Sequence, residues 1–260
     1  MSFFDIPFDL KLPPLETDNP APGRRVRQVL PRHAGTSLYH SLYLPEDWTP
    51  GATYPVIVEY PGNGGYREAG AVPTTGRLED CPLGYGISAG LGFIWVSLPF
   101  VDLAAGRQAV NWWGDVEATV LYCRETVATV CQLYGGDPRK VLLAGFSRGA
   151  IACNFIGLHD DEISKLWAGF IAHSHYEGVR EWPQSDHASA LGRLSRLGDR
   201  PVWISHENSV EETSKYLDST GVTAPFTLRT FPFPNHTHDW VLKDLPLRAE
   251  LRAWVSRVVG

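Results

Sequence analysis

Lys140-Val141-Leu142-Leu143-Ala144-Gly145-Phe146-Ser147-Arg148-Gly149-Ala150-Ile151-Ala152-Cys153-Asn154-Phe155-Ile156 is the stretch whose reading decides this chain. Its first five residues form a short apolar run that favours a strand. The next five spell Gly-x-Ser-x-Gly, and the remainder suits a buried helix. Strand, sharp turn with serine at the tip, then helix is the context of a nucleophile elbow. A serine held in a strained turn needs neighbours without a Cβ, so that strand and helix can approach each other. The plain alternative is a Gly/Ser turn between two elements; the apolar runs on both sides favour the elbow.

Working outward, further strands and helices alternate, which predicts an α/β fold with a mostly parallel sheet. On the N-terminal side, Arg24 to Pro31 and Ser37 to Leu44 alternate apolar and polar residues, as two antiparallel edge strands would. Tyr54 to Tyr60 and Gly92 to Leu98 read as buried strands, and Pro99 to Trp113 as a loop. From Asp115 to Tyr134, Val116, Val120, Cys123, Val127, Val130 and Leu133 recur at helical spacing, and Gly135-Gly136-Asp137-Pro138 stops the helix. Residues 67–91 hold many Gly and Pro without a helical period and read as irregular. On the C-terminal side, strands are expected at Leu166–His173, Pro201–His206 and Pro225–Phe231. Helices are expected near Ala188–Leu197, at Val210–Ser219 and at Asp244–Val259. Residues 1–23 read as an extended arm. With no internal repeat and no low-complexity linker, residues 1–260 read as a single domain.

From about Leu38 to the C-terminus, this order of elements and the elbow resemble the α/β-hydrolase family. The resemblance implies a mostly parallel, eight-stranded sheet flanked by helices, with small irregular lid segments. Residues 174–199 fall where small lids of the family sit. It also implies a Ser–acid–His triad in that chain order, acting through an acyl-enzyme on carboxylic esters.

A serine hydroxyl needs a base to take its proton. Within Phe231-Pro232-Phe233-Pro234-Asn235-His236-Thr237-His238, His236 matches the family's slot after the last strand, with His238 as the alternative base. The acid is harder to place, because the family's His-Gly-x-x-Asp is replaced here by His206-Glu207-Asn208-Ser209-Val210-Glu211-Glu212. Glu207 lies nearest the strand end. Glu211 and Glu177 are the alternatives, although Glu211 and Glu212 also read as charges favoured at a helix N-terminus. The oxyanion hole would combine the N–H of Arg148 with that of Asn63 or Gly64, in the Gly-rich loop Pro61-Gly62-Asn63-Gly64-Gly65. The Arg148 side chain is expected in an ion pair. Trp112, Trp113 and Trp182 sit in loops near the expected pocket mouth and are candidate substrate contacts, suiting acylated carbohydrates or aromatic esters.

Two other classes compete. A protein of this fold with a degenerate acid loop could serve binding alone. His173-Ser174-His175 and His236-Thr237-His238 put two imidazoles on one strand face, as a metal-dependent hydrolase could want; no His-Glu-x-x-His accompanies them, so neither metal nor cofactor is expected. A net charge of −6 argues against a nucleic-acid partner. No run of 18 apolar residues predicts a membrane span, and the first residues show no signal peptide. A cytoplasmic location is therefore expected, though a chain processed on secretion would read the same. Cys81, Cys123, Cys131 and Cys153 show no Cys-x-x-Cys spacing and read as buried free thiols, in keeping with a reducing compartment. The small-molecule ester is not named by the sequence, nor is the oligomeric state.

Overall fold

Apolar runs with no polar alternation need cover on both faces, which a parallel sheet between helices supplies. A computed structural model of the chain describes residues 2–62 and 74–260 and places those runs at the centre of one sheet. In chain order the strands are β1 (Leu15–Glu16), β2 (Arg25–Gln28), β3 (His40–Tyr43), β4 (Tyr54–Tyr60), β5 (Ile94–Ser97), β6 (Phe100–Asp102), β7 (Arg107–Ala109), β8 (Gly136–Phe146), β9 (Gly169–His173), β10 (Val202–Glu207) and β11 (Phe226–Phe231). The helices are α1 (Leu83–Ser88), α2 (Val116–Tyr134), α3 (Arg148–Phe155), α4 (Asp161–Ser164), α5 (His187–Leu194), α6 (Glu211–Thr220) and α7 (Pro246–Val259).

The main sheet runs β1-β2-β3-β5-β4-β8-β9-β10-β11. In that sheet β5, β4, β8, β9, β10 and β11 run parallel to one another, and β3 is antiparallel to both β2 and β5. The expected count of eight is thus exceeded by one among the described residues. The extra strand is the two-residue β1, where the N-terminal arm pairs parallel to β2. That pairing also moves β2 off the edge on which it was expected. The arm is tied down at its start as well. Phe3 is buried, Asp9 accepts from Arg248 at 2.7 Å, and the Asp9 and Leu10 amides donate to the Leu242 carbonyl.

Strand alternation sends successive side chains to opposite faces. Val56, Val58, Val141, Leu143, Phe170 and Ala172 point to the side covered by α2 and α3, where Val120, Cys123, Val127 and Val130 meet them. Ile57, Leu142, Ala144, Phe146 and Ile171 point to the other side and pack under α7 through Leu251, Trp254 and Val255. Leu133, read as part of the buried stripe of α2, is exposed. Asp115 caps that helix by accepting from the Ala118 amide at 2.9 Å.

Two segments differ from expectation. The stretch read as a loop over Pro99–Trp113 contains the antiparallel hairpin β6–β7. Residues 74–91, within the stretch read as irregular, contain a 3-10 turn at Leu78–Asp80 and helix α1. The helical signal of α1 is erased by Gly84 and Gly86, and both are needed for close approach. A Cβ on Gly84 would lie 2.0 Å from Trp95, and one on Gly86 2.3 Å from Val241. The start of α1 is held by Glu59, a fully buried carboxylate in β4. It accepts from the Leu83 and Gly84 amides and from Trp95 Nε1, at 2.9 to 3.0 Å. Arg25, also buried, stacks on Trp95 and donates to the Leu78 and Glu79 carbonyls.

Among the described residues no helix is long and apolar enough to cross a membrane. All four cysteines are free; Cys131 is half-buried rather than buried.

Candidate active site

Ser147 stands between β8 and α3, at the carboxyl end of the central strand, with φ 55° and ψ −119°. For a residue with a Cβ that is a strained conformation, and its neighbours allow it. A Cβ on Gly145 would meet the Gly149 backbone at 2.1 Å, and one on Gly149 would meet the Tyr60 carbonyl at 2.2 Å. The turn is anchored to the adjacent strand by the Ser147 amide, which donates to the His173 carbonyl at 2.9 Å.

Three side chains from distant parts of the chain converge here. Ser147 Oγ lies 3.0 Å from His236 Nε2, and His236 Nδ1 meets Glu207 Oε1 in a short hydrogen bond. His236 follows β11, and Glu207 is the last residue of β10. Burial pushes the Glu207 carboxyl up, but hydrogen bonds from His236 and Ser174, with nearby histidines, outweigh it and hold the carboxyl at about 2. At neutral pH Glu207 is therefore a carboxylate and can only accept. The shared proton must then sit on Nδ1, leaving the lone pair of Nε2 turned to Ser147 Oγ. The His236 ring rests on Phe146, at 4.7 Å between centroids.

The alternatives are placed elsewhere. Glu177 is buried against Arg193 at 2.7 Å and accepts from Ser185 Oγ, pinning the segment between β9 and α5. Glu211 is exposed at the start of α6 and pairs with Lys215, the solvated role also read for it. His238 is buried beside Phe146, while His236 occupies the position facing Ser147. Asn63 and Gly64 lie outside the described residues. Arg148 opens α3, so its amide is among the first N–H groups of the helix, which lack an intrahelical acceptor.

The expectation of an ion pair for the Arg148 side chain is corrected. Its guanidinium donates to the carbonyls of Val110 and Gly62, both at 2.8 Å, and lies over Phe100. Burial lowers it to about 9, which leaves it charged at neutral pH. Gly62, at the start of the Gly-rich loop, is thereby fastened to the residue after Ser147.

Of the three tryptophans, Trp113 has no exposed surface and packs on Phe100 and Phe155, with Nε1 donating to the Pro183 carbonyl at 2.8 Å. Trp113 is a core residue with no surface to offer a substrate, contrary to the sequence expectation. Trp112 touches Trp182, and Trp182 touches His175, whose ring lies 5.4 Å from that of His236. Trp182 and His175 line a cavity of about 400 Å3 beside Glu207, together with Tyr176, Arg180, His206 and Asn208. Burial drives His175 down to about 3, so it is a neutral imidazole there.

The His-x-His pairs do not act as pairs. His173 is fully buried, with Nδ1 at 2.9 Å from Ser205 Oγ and Nε2 at 3.0 Å from the Thr237 carbonyl, whereas His175 faces the cavity. Among the described residues no cluster of His, Cys, Asp and Glu is arranged to hold a metal ion. Ser174, Ser205 and Phe146 all touch this arrangement and were not foreseen. Their one visible signal was proximity to motifs read for other reasons.

By sequence the chain matches no family model and no curated protein. By structure it resembles a thermostable esterase, with a TM-score of 0.55 at 16% identity over 90% of this chain. An S-formylglutathione hydrolase from Agrobacterium tumefaciens gives 0.61 at 12% identity, over 93% of this chain and 98% of that one. An acetyl ester-xyloside bifunctional hydrolase from Caldicellulosiruptor lactoaceticus gives 0.59 at 15%, over 93% and 99%. The chain spans 62% of the thermostable esterase's length. The parallel sheet, its flanking helices and these likenesses define the fold: the chain has the α/β-hydrolase fold.

Proposed function

We propose that this protein is a serine hydrolase of carboxylic esters, with Ser147 as nucleophile, His236 as base and Glu207 as the acid that orients it. The observation that carries the reading is the Ser147–His236–Glu207 line of hydrogen bonds, set on a strained elbow. Ser147 Oγ attacks the ester carbonyl carbon while its proton passes to His236 Nε2. The imidazolium is stabilised by the Glu207 carboxylate, and the tetrahedral oxyanion by the Arg148 amide and a second donor assigned to Asn63 or Gly64. Each such donor is typically worth about 3 kcal/mol in the transition state. His236 returns the proton to the leaving alcohol as the C–O bond breaks. A water then gives its proton to His236 as it attacks the acyl-enzyme carbonyl carbon, and His236 returns that proton to Ser147 Oγ as the Ser147–acyl C–O bond breaks, freeing the acid and the serine hydroxyl.

Esters are the favoured substrates because two of the structural neighbours reported above carry ester chemistry in their names. Within that class, the cavity beside Glu207, where the Trp182 indole and the His175 and His206 imidazoles stand with Arg180, Asn208, Glu211 and Glu212, offers the stacking and hydrogen-bonding groups that suit the acylated carbohydrates or aromatic esters read from the sequence. The test is hydrolysis of p-nitrophenyl esters from acetate to octanoate by the wild type and by Ser147→Ala. Turnover by the wild type, lowered at least about 10³-fold in the variant, is the expected result. Equal turnover by both would remove Ser147 from the mechanism.

A further inference from the structure

His173-Ser174-His175 has a metal-type spacing and no part in the reaction proposed above. Its contacts give it another. The His173 carbonyl accepts from the Ser147 amide at 2.9 Å. The His173 ring reaches the Thr237 carbonyl, one residue past His236, at 3.0 Å. A carbonyl only accepts, so Nε2 carries the ring proton and Nδ1 must accept from Ser205 Oγ, at 2.9 Å. Ser174 Oγ donates to Glu207 Oε2 at 2.5 Å, leaving Oε1 for His236. The His175 ring lies against that of His236. Each member of the proposed triad, or its immediate neighbour in the chain, is therefore held by one tripeptide at the end of β9.

The backbone bears a cost for this. Ser174 has φ 78°, in the left-handed region that disfavours side chains. Its amide donates to the Ser205 carbonyl at 2.8 Å, which continues the β9–β10 pairing past the end of β9. A glycine would suit this conformation better, and a serine here supplies a hydroxyl that glycine lacks. The geometry points to Ser174 as a positioning residue that fixes the rotamer of Glu207 by occupying one carboxylate oxygen, so that the other meets His236. This inference rests on the triad reading above and adds to it a residue that touches no substrate.

The test uses Ser174→Gly, which relieves the left-handed strain while removing the hydroxyl, and Ser174→Ala, which removes the hydroxyl alone. Both are compared with the wild type and Ser147→Ala, with competent sites counted by active-site titration. In both Ser174 variants kcat falls roughly 10- to 100-fold with KM little changed, as misplacement of a catalytic group produces. Ser174→Gly unfolds at a temperature no lower than Ser174→Ala. In a Glu207→Ala background the Ser174→Gly change costs less than about two-fold more, because the group it positions is gone. Three results overturn the inference: wild-type kcat in both Ser174 variants, a loss carried by KM alone, or the same fold-loss with and without Glu207. Full activity in Ser147→Ala overturns the triad reading itself, a distinct outcome.

Discussion

Glu207 meets His236 with one carboxylate oxygen and Ser174 with the other, whereas Glu177 and Glu211 are engaged with Arg193 and Lys215. Substitution therefore separates the three acids. In the proposed mechanism, Glu207→Gln keeps the shape but not the charge that would stabilise the imidazolium, and kcat should fall about 10²- to 10⁴-fold. Glu211→Gln should leave kcat within about two-fold. Glu177→Gln removes the buried charge that pairs with the half-buried Arg193, so it should lower the unfolding midpoint while kcat per folded molecule stays near that of the wild type. Steady-state kinetics beside thermal denaturation checks all three, and a dead Glu177→Gln with an active Glu207→Gln would reverse the assignment. The sequence could rank these acids only by distance from a strand end. What separates them physically is which partner each finds, and partners such as Arg193 and Ser174 are set by packing between segments.

Among elements, the turn from β8 into α3 is the one most constrained by space. A Cβ at Gly149 would lie 2.2 Å from the Tyr60 carbonyl and 2.9 Å from that of Pro61, and backbone cannot swing aside as a side chain can. Gly149→Ala should destabilise the protein by about 1–3 kcal/mol and displace Ser147, with a matching loss of turnover. Gly192, inside α5, has nothing within 4 Å of such a Cβ. Gly192→Ala should leave turnover unchanged and add up to about 1 kcal/mol. Urea denaturation of the two variants checks this, and equal stability changes in both would argue that close packing does not shape the elbow. The elbow was legible because its signal is local: an apolar run, two glycines at fixed offsets, a second apolar run. Long strands and helices were legible for the same reason. Helix α1 was not, since the glycines that let it pack on Trp95 and Val241 also erase its period. The β6–β7 hairpin was missed because three-residue strands carry too little alternation to stand out.

At the scale of the whole molecule, buried titratable groups couple stability to pH. Burial drives His40, His173, His175 and His238 to about 3. Each is neutral when folded and protonates on unfolding below its ordinary value of 6.5, so its contribution is present above 6.5 and lost as pH falls toward 3. Glu59 opposes them. Burial raises it to about 7, so it favours the folded state below 4.5 and loses that contribution as pH rises through 7. Glu207 acts only at lower pH, where stability is lost between 4.5 and 2. Near pH 5.5 these histidines, with His33 also lowered by burial, take up more protons on unfolding than Glu59 and Glu177, both raised by burial, release, so acidification through this range lowers stability. Urea midpoints should therefore be clearly lower at pH 5.5 than at pH 7.5; equal or higher midpoints at pH 5.5 would contradict these buried neutral imidazoles. The proposed chemistry requires above all that Ser147 be an activated nucleophile. Intact-mass analysis after exposure to a fluorophosphonate probe measures this most directly, because such a probe reacts with a serine only when a base takes its proton. One adduct on the wild type, mapped to Ser147 and absent from Ser147→Ala, is the predicted result. A wild-type protein that stays unlabelled, or an adduct that persists in Ser147→Ala, would contradict it.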